Sequence, residues 1–331
     1  MKRARSINDG YLRKGGLLGQ GASSDVFCAE TKTLDAVKVA IKRLKLVVPK
    51  ASTEDLVPRE VGILKEIGAH PNLIVMLELV RDAEGHAFIV LEWMQHDLRG
   101  LIRSPYSNHF SRAQVKGYAI QFMRGVAHCH AHNYIHLDLK PENVLVSAKG
   151  EVKLTDFGLA ERYDPALAHN KSVVTYWYRP IEVFYRTPRF EFSIDMWSAG
   201  CIVAELLLNK VLLAGESEDK QPECIYALCG TPIENGWPGA AQLPQYVSPP
   251  TAHKRDLDGA LRVHNKTSRA GFFTKHAIDL LDRLLALDPE KRITAADALA
   301  HPYFIDESPK PLEPWLMPMY DISYFGSVRR K

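Results

Sequence analysis

Residues 11–94 carry short apolar runs, among them Val37-Lys38-Val39-Ala40-Ile41 and Phe88-Ile89-Val90-Leu91, interrupted by one stretch of helical spacing near residues 58–68. Apolar runs this short, rich in β-branched residues, predict strands. The region is therefore expected to form a small β-rich lobe holding one helix. After Gln95-His96-Asp97 the period lengthens: Val115, Ala119, Phe122, Met123, Val126 and His130 recur every three to four residues, as do Ile278, Leu281, Leu284 and Leu285. That spacing lines up one face of a helix, so residues 95–305 are expected to make a larger, mainly helical lobe. Eight of the 21 residues from 230 to 250 are Gly or Pro, which predicts a loop-rich insertion there. Residues 1–10 read as an N-terminal extension. Residues 306–331, with Pro309, Pro311, Pro314 and Pro318, read as an irregular tail. Its aromatics Trp315, Tyr320, Tyr324 and Phe325 could pack on the body or receive a partner, and packing is the expectation.

Composition narrows the classes. The 331 residues are 46% hydrophobic and 24% charged, and 42 Lys and Arg stand against 39 Asp and Glu. A net charge of +3 lacks the basic excess that nucleic-acid binding requires, so no nucleic-acid partner is expected. No apolar run approaches the ~20 residues of a membrane span, and the basic start Met1-Lys2-Arg3 leads into Asn8-Asp9-Gly10 and not into a signal-like segment. Five cysteines, odd in number and scattered, fit no zinc spacing. The expected setting is a reducing one, nucleus or cytoplasm, with no membrane partner.

Chemistry enters with Leu18-Gly19-Gln20-Gly21-Ala22-Ser23-Ser24-Asp25-Val26, where glycines let backbone amides approach phosphate oxygens. Ser24 replaces a third glycine, so the segment reads equally as a hairpin turn. About 20 residues on, Val39-Ala40-Ile41-Lys42 presents an amine from inside an apolar strand, where it needs a partner, and Glu60 in Arg59-Glu60-Val61-Gly62-Ile63-Leu64-Lys65 is the natural one. A surface Lys-Glu pair would leave the same trace.

His136-Leu137-Asp138-Leu139-Lys140-Pro141-Glu142-Asn143, followed thirteen residues after Asn143 by Asp156-Phe157-Gly158, resembles the catalytic and metal-binding loops of eukaryotic protein kinases. The residue types suit phosphoryl transfer: a carboxylate to orient and deprotonate the attacking hydroxyl, Asp138, and hard oxygen ligands for magnesium, Asn143 and Asp156. The resemblance covers about residues 10–305 and implies the α+β, two-lobed protein kinase fold, with ATP and Mg2+ as cofactors. It also implies that Lys140 neutralises the transferring group and that Lys42 holds the α- and β-phosphates. The adenine would lie against Leu18, Val26, Ala40 and Leu145, with Leu91 as gatekeeper and Glu92 to Met94 as hinge, while Gly19 and Gly21 would meet the phosphates of the same nucleotide.

Further motifs narrow the resemblance to the cyclin-dependent kinase group: Val173-Val174-Thr175-Tyr176-Trp177-Tyr178-Arg179, Asp195-Met196-Trp197-Ser198-Ala199-Gly200, Gly230-Thr231-Pro232 with Trp237-Pro238-Gly239, and Asp288-Pro289-Glu290-Lys291-Arg292. They imply that Asp195 anchors the catalytic-loop backbone and that Thr175 contacts Asp138 and Lys140. They further imply that Val174 and Arg179 shape a pocket for proline after the Ser or Thr acceptor. Gln95-His96-Asp97-Leu98-Arg99-Gly100-Leu101 resembles transcription-associated members most. A role in transcription or cell-cycle control follows, with a monomeric activator of cyclin-dependent kinases, or a pseudokinase scaffold, as the alternatives.

Several departures fall in one place. Family members activated by phosphorylation gather three arginines around a phosphothreonine; here Leu137 and Glu161 stand where two of them belong, Asn170 stands at the acceptor, and only Arg59 remains. Their joint loss is expected of a loop that needs no phosphate there, with Glu161 or another carboxylate pairing with Arg59 and Ser172 left as the candidate acceptor. Pro180-Ile181-Glu182 replaces the usual Ala-Pro-Glu, while Glu182 and its usual partner Arg292 are kept. Pro58, tolerated only in a helix's first turn, implies a late start to the cyclin-facing helix in the Glu54–Glu60 region.

Overall fold

The computed structural model describes residues 7–20, 24–47, 59–82, 84–167, 173–264, 269–320 and 322–325. The small lobe is a five-stranded antiparallel sheet of β1 (Tyr11–Gln20), β2 (Ser24–Thr31), β3 (Lys38–Val47), β4 (Met76–Arg81) and β5 (His86–Glu92), ordered β1-β2-β3-β5-β4. Side chains of a strand alternate between its two faces. In β3 this sends Val39 and Ile41 into an outer core with Ala29, Val80, Phe88 and Val90, and turns Ala40 and Lys42 to the opposite face. Register fixes the arrangement, with Ala40 opposite Leu91 and Lys42 opposite Ile89 on β5. A slip of one residue would drive the lysine into the outer core. Helix α1 (Ile7–Gly10) adds Ile7 to that core, so part of the expected extension belongs to the small lobe.

Helix α2 (Arg59–Ile67) buries Val61, Ile63, Leu64 and Ile67 and turns Glu60 inward with them. Glu54 to Pro58, and so the expected late start, lie outside the described residues.

The large lobe begins with β6 (His96–Asp97) and α3 (Leu98–Ile102), whose first turn is capped by the Asp97 carboxylate accepting from the Gly100 amide at 2.6 Å. Helix α4 (Arg112–Ala131) opens on a reciprocal Ser111–Gln114 capping box and buries the predicted Val115, Ala119, Phe122, Met123 and Val126. Beside it run short strands β7 (Tyr134–Ile135), β8 (Val144–Val146), β9 (Val152–Leu154) and β10 (Glu161–Arg162), paired as β6-β8-β9 and β10-β7. They carry the loops that hold the candidate chemistry. Helices α5 (Ile181–Phe184), α6 (Phe192–Leu208), α7 (Gln221–Cys229), α8 (Leu257–His264), α9 (Lys275–Leu284), α10 (Ala295–Leu299) and α11 (Pro302–Ile305) complete the lobe. The Gly/Pro-rich stretch is turns and one 3-10 segment, Pro238–Gln242, as its composition predicts.

The tail does pack on the body. Leu312 donates its amide to the Ala113 carbonyl, Met317 is buried, and Tyr324 reaches β6, whereas Trp315 stays 75% exposed. Among the described residues no helix is long and apolar enough to cross a membrane, and all five cysteines are free thiols.

Candidate active site

The inward faces of β3 and α2 meet at an ion pair. Lys42 Nζ lies 2.6 Å from Glu60 Oε2 and 2.7 Å from Asp156 Oδ1, with the Lys42 and Glu60 side chains almost wholly buried. Burial alone would push the Lys42 ammonium pKa down, but the two carboxylates outweigh it and hold it above its ordinary value. Burial would likewise raise the Asp156 carboxyl, and Lys42 outweighs that and holds it low. Asp156 adopts a left-handed φ of 65°, which turns its side chain back toward the lysine.

Asp138 is the hub of the loop between β7 and β8. Thr175 Oγ1 donates to its Oδ1 at 3.1 Å, Lys140 Nζ to its Oδ2 at 2.5 Å, and Asn143 Nδ2 to its Oδ2 at 3.1 Å and its backbone carbonyl at 2.8 Å. Lys140 Nζ is also 3.4 Å from Thr175 Oγ1. The carboxylate is thus aimed by three donors drawn from two segments. Beneath it, buried Asp195 on α6 accepts the amides of His136 (2.8 Å) and Leu137 (3.0 Å) and a bond from His130 (2.9 Å). These contacts hold Leu137 at a φ of 65°, a conformation costly for a leucine.

Between the lobes lies a cleft of about 370 Å³. Leu18, Gly19, Val26, Ala40, Leu91, Glu92, Met94 and Leu145 line it, together with Lys42, Lys140, Asn143, Asp156 and Thr175 at its inner end. The structure therefore gathers the sequence-predicted site residues in one place, except Gly21, which lies outside the described residues. The Glu92 amide is taken by the Val75 carbonyl at 3.0 Å and its carboxylate by Lys153 at 2.7 Å.

A sequence profile described as the protein kinase domain matches residues 12–304. The chain belongs to the protein kinase family. Among similar proteins, cyclin-dependent kinase 11 of Dictyostelium discoideum is 38% identical over 312 residues, covering 93% of this chain and 83% of that one. Cyclin-dependent kinase C-2 of Oryza sativa subsp. japonica is 35% identical over 335 residues, covering 95% of this chain; the chain spans 63% of that relative's length. A chain from the structure of the CAK complex from Chaetomium thermophilum, bound to ATP-γ-S, superposes with a TM-score of 0.81 at 33% identity, covering 94% of this chain and 95% of its own. Within the family, this kinase groups with the cyclin-dependent kinase-like Ser/Thr kinases.

Around the kinase's activation segment the departures take physical form. Arg59 Nη2 lies 3.3 Å from Glu161 Oε1 and donates to the Ala160 carbonyl at 2.6 Å. Leu137 is fully buried in the hydrophobic core and presents nothing a phosphate could contact. Asn170 and Ser172 lie outside the described residues. At the segment's end Glu182 and Arg292 form a buried two-point pair, 2.7 and 3.2 Å, and Arg292 also donates to the Ser193 carbonyl at 2.6 Å. Pro180 serves there as the N-cap of α5, leaving this anchor intact.

Sequence reasoning passed over Arg99. Buried in α3, it donates to the Tyr178 hydroxyl at 2.9 Å and pairs with Glu205 at 3.3 Å and Glu142 at 3.4 Å, joining the catalytic loop to the activation segment. A buried arginine needs such partners, but nothing local in Leu98-Arg99-Gly100 announces its burial. It also passed over Phe325 as a cleft residue.

Proposed function

We propose that this kinase transfers the γ-phosphate of ATP to Ser or Thr residues followed by proline, and does so without a phosphate at the usual activation-loop position. The single observation that carries the catalytic reading is Asp138, aimed by Thr175, Lys140 and Asn143, three residues that line a cleft together with Lys42. In that arrangement Asp138 orients the acceptor hydroxyl and receives its proton as oxygen attacks the γ-phosphorus and the bond to the β-phosphate oxygen breaks. Lys42, held by Glu60, grips the α- and β-phosphates; Lys140 offsets charge on the group in transit. The hinge would offer the base the Glu92 carbonyl and Met94, because the Glu92 amide is already committed.

The donor set suits Mg2+. Asn143 turns its amide nitrogen to Asp138 and leaves its carbonyl oxygen, Asp156 commits one oxygen to Lys42 and leaves the other, and both are hard ligands. Bound there, the ion supplies charge neutralisation between the phosphates.

The preference for proline is supported by Val174, buried and held at a φ of 67°. Arg179 donates to its carbonyl from Nε at 3.1 Å and Nη2 at 2.9 Å. With that carbonyl occupied, an amide N–H on the residue after the acceptor loses a partner, and proline has no N–H to satisfy. Independence from a loop phosphate is supported by the Arg59–Glu161 contact.

Likeness to cyclin-dependent kinases supports protein substrates, a role in transcription or cell-cycle control, and a cyclin-type partner meeting the Glu54–Glu60 region. The five free thiols support the nucleus or cytoplasm as setting.

The test uses bacterially expressed protein shown by mass spectrometry to be phosphate-free, Mg-ATP, and a peptide pair differing only as Ser-Pro and Ser-Ala. An unpaired buried N–H costs ~1–3 kcal/mol, so a preference of roughly 5- to 150-fold for Ser-Pro is expected, lost with Asp138→Asn. Equal rates on both peptides sink the proline reading. Activity that survives Asp138→Asn sinks the role given to Asp138, and a wild type inactive both alone and with a cyclin partner sinks the catalytic reading and leaves a scaffold.

A further inference from the structure

The tail does more than cover the large lobe. It is fastened at intervals along its path. Near its start Glu307 collects Arg112, Lys116 at 3.1 Å and the Thr274 hydroxyl at 2.6 Å. Leu312 then bonds to Ala113, and Met317 sinks between α4 and the turn before β9. At the far end Tyr324 lies parallel to β6 as a further edge of the β6-β8-β9 sheet: its amide donates to His96 Nδ1 at 3.1 Å and its carbonyl accepts from the Asp97 amide at 3.0 Å.

The body is shaped for this path. A Cβ added to Gly100 would fall 2.6 Å from the Tyr324 carbonyl carbon, one on Gly117 would fall 2.4 Å from the Leu312 oxygen, and one on Gly150 would fall 2.3 Å from the Met317 Cβ. Glycine within α3 and α4 forfeits helix stability relative to alanine. At Gly100 and Gly117 that loss is matched by the close approach of tail backbone.

This fastening decides where the next residue goes. Phe325 follows the β6 edge directly, its ring edge-on to Trp93 of the hinge at 6.2 Å between centroids, and it lines the same cleft as Leu18, Ala40 and Leu145. We propose that Phe325 is a nucleotide-binding residue supplied by the tail, and that the seating of Tyr324 on β6 sets how tightly the cleft holds a purine nucleotide. The proposal rests on the reading of the cleft as the ATP site. An aromatic side chain at the open edge of the cleft removes apolar surface of the base from water and restricts its exit, without touching the phosphates or Asp138.

The test uses the full chain and titrates ATP and ADP by isothermal calorimetry, alongside KM for ATP and kcat on a Ser-Pro peptide. Phe325→Ala is expected to weaken nucleotide Kd and raise KM for ATP about 5- to 10-fold, more than it lowers kcat, and Phe325→Trp to restore most of the loss. Gly100→Ala alters no cleft residue, yet it is expected to weaken nucleotide binding to a similar degree by displacing Tyr324. A thermal midpoint that falls in Phe325→Ala while nucleotide Kd stays at the wild-type value would show a packing role only and overturn the proposal. Gly100→Ala with wild-type Kd would overturn its second half. If the wild type itself binds no ATP, what fails is the reading of the cleft on which the proposal stands.

Discussion

Neutralising Glu161 tests the phosphate-independent loop most directly. In the structure Glu161 is largely out of water, its side chain 9% exposed, while that of Arg59 is 53% exposed, and they meet at 3.3 Å. Exposed ion pairs contribute ~0.2–1 kcal/mol and charge-assisted bonds out of water ~1.5–3 kcal/mol. A pair with one partner in each setting should contribute about 1–1.5 kcal/mol, a 5- to 12-fold change in the population of the ordered loop. The two single variants should not be equal. Glu161→Gln leaves a guanidinium that water and the Ala160 carbonyl still serve, whereas Arg59→Gln leaves a nearly buried carboxylate with one partner fewer, so the second should lose more activity. The assay is kcat/KM on a Ser-Pro peptide with phosphate-free protein, for both singles and the double. Coupling should appear as a double variant falling well short of the product of the two losses. Losses that multiply, or a wild type gaining more than about tenfold on treatment with an upstream kinase, would refute the reasoning.

Three other outcomes follow from contacts already described. Arg292→Met should cost ~3–5 kcal/mol by stranding buried Glu182, visible as a drop of several degrees in the thermal midpoint, and an unchanged midpoint would contradict the assigned anchor. Asp195→Asn can accept fully from only one of the His136 and Leu137 amides, so peptide kcat should fall by one to two orders of magnitude while ATP affinity stays near wild type; parallel losses would point to general unfolding. His96 should make tail seating sensitive to acid. Burial pushes its pKa down to about 4, and its Nδ1 accepts the Tyr324 amide, so the seated state requires the neutral ring. The rings of Tyr320 and Tyr324 face it, burial pushes the Tyr320 hydroxyl up, and Asp97 directs its carboxylate to the Gly100 amide. The unfolded ring binds its proton near 6.5. The contribution is therefore whole above that pH and lost as pH falls toward 4, up to about 3 kcal/mol. Hydrogen exchange at residues 322–325 should quicken between pH 7 and 5 beyond its intrinsic rate, and His96→Gln should remove the excess.

What could be read in the sequence was local or carried by spacing. The run Val39-Ala40-Ile41-Lys42 singles out the lysine and offers Glu60 as its partner without deciding between a buried and a surface pair, and the periodicity of Val115 to Val126 gives the buried face of α4. The order from His136 to Gly158 identifies the residues that converge on the cleft, because each is tied to its neighbours by a short loop. Contacts made across long separations left no such trace. Phe325 enters the cleft because Tyr324 pairs with a strand 228 residues earlier, and no period in the tail encodes that register. Arg99 gains its role only when Tyr178 and Glu205 are brought beside it. The left-handed backbone at Leu137 and Val174 was equally silent, since neither residue type favours it; Asp195 and Arg179 impose it from elsewhere in the chain.

The contact between Arg59 and Glu161 is made of two side chains of one molecule, so it is present from the moment the chain folds and no phosphatase can remove it. On the proposed reading, a loop held in this way has no phosphate at the usual position to write or erase. Control over such an enzyme passes to quantities measured in copies and minutes: how fast it is synthesised, how long it survives, and how much of any partner is within reach.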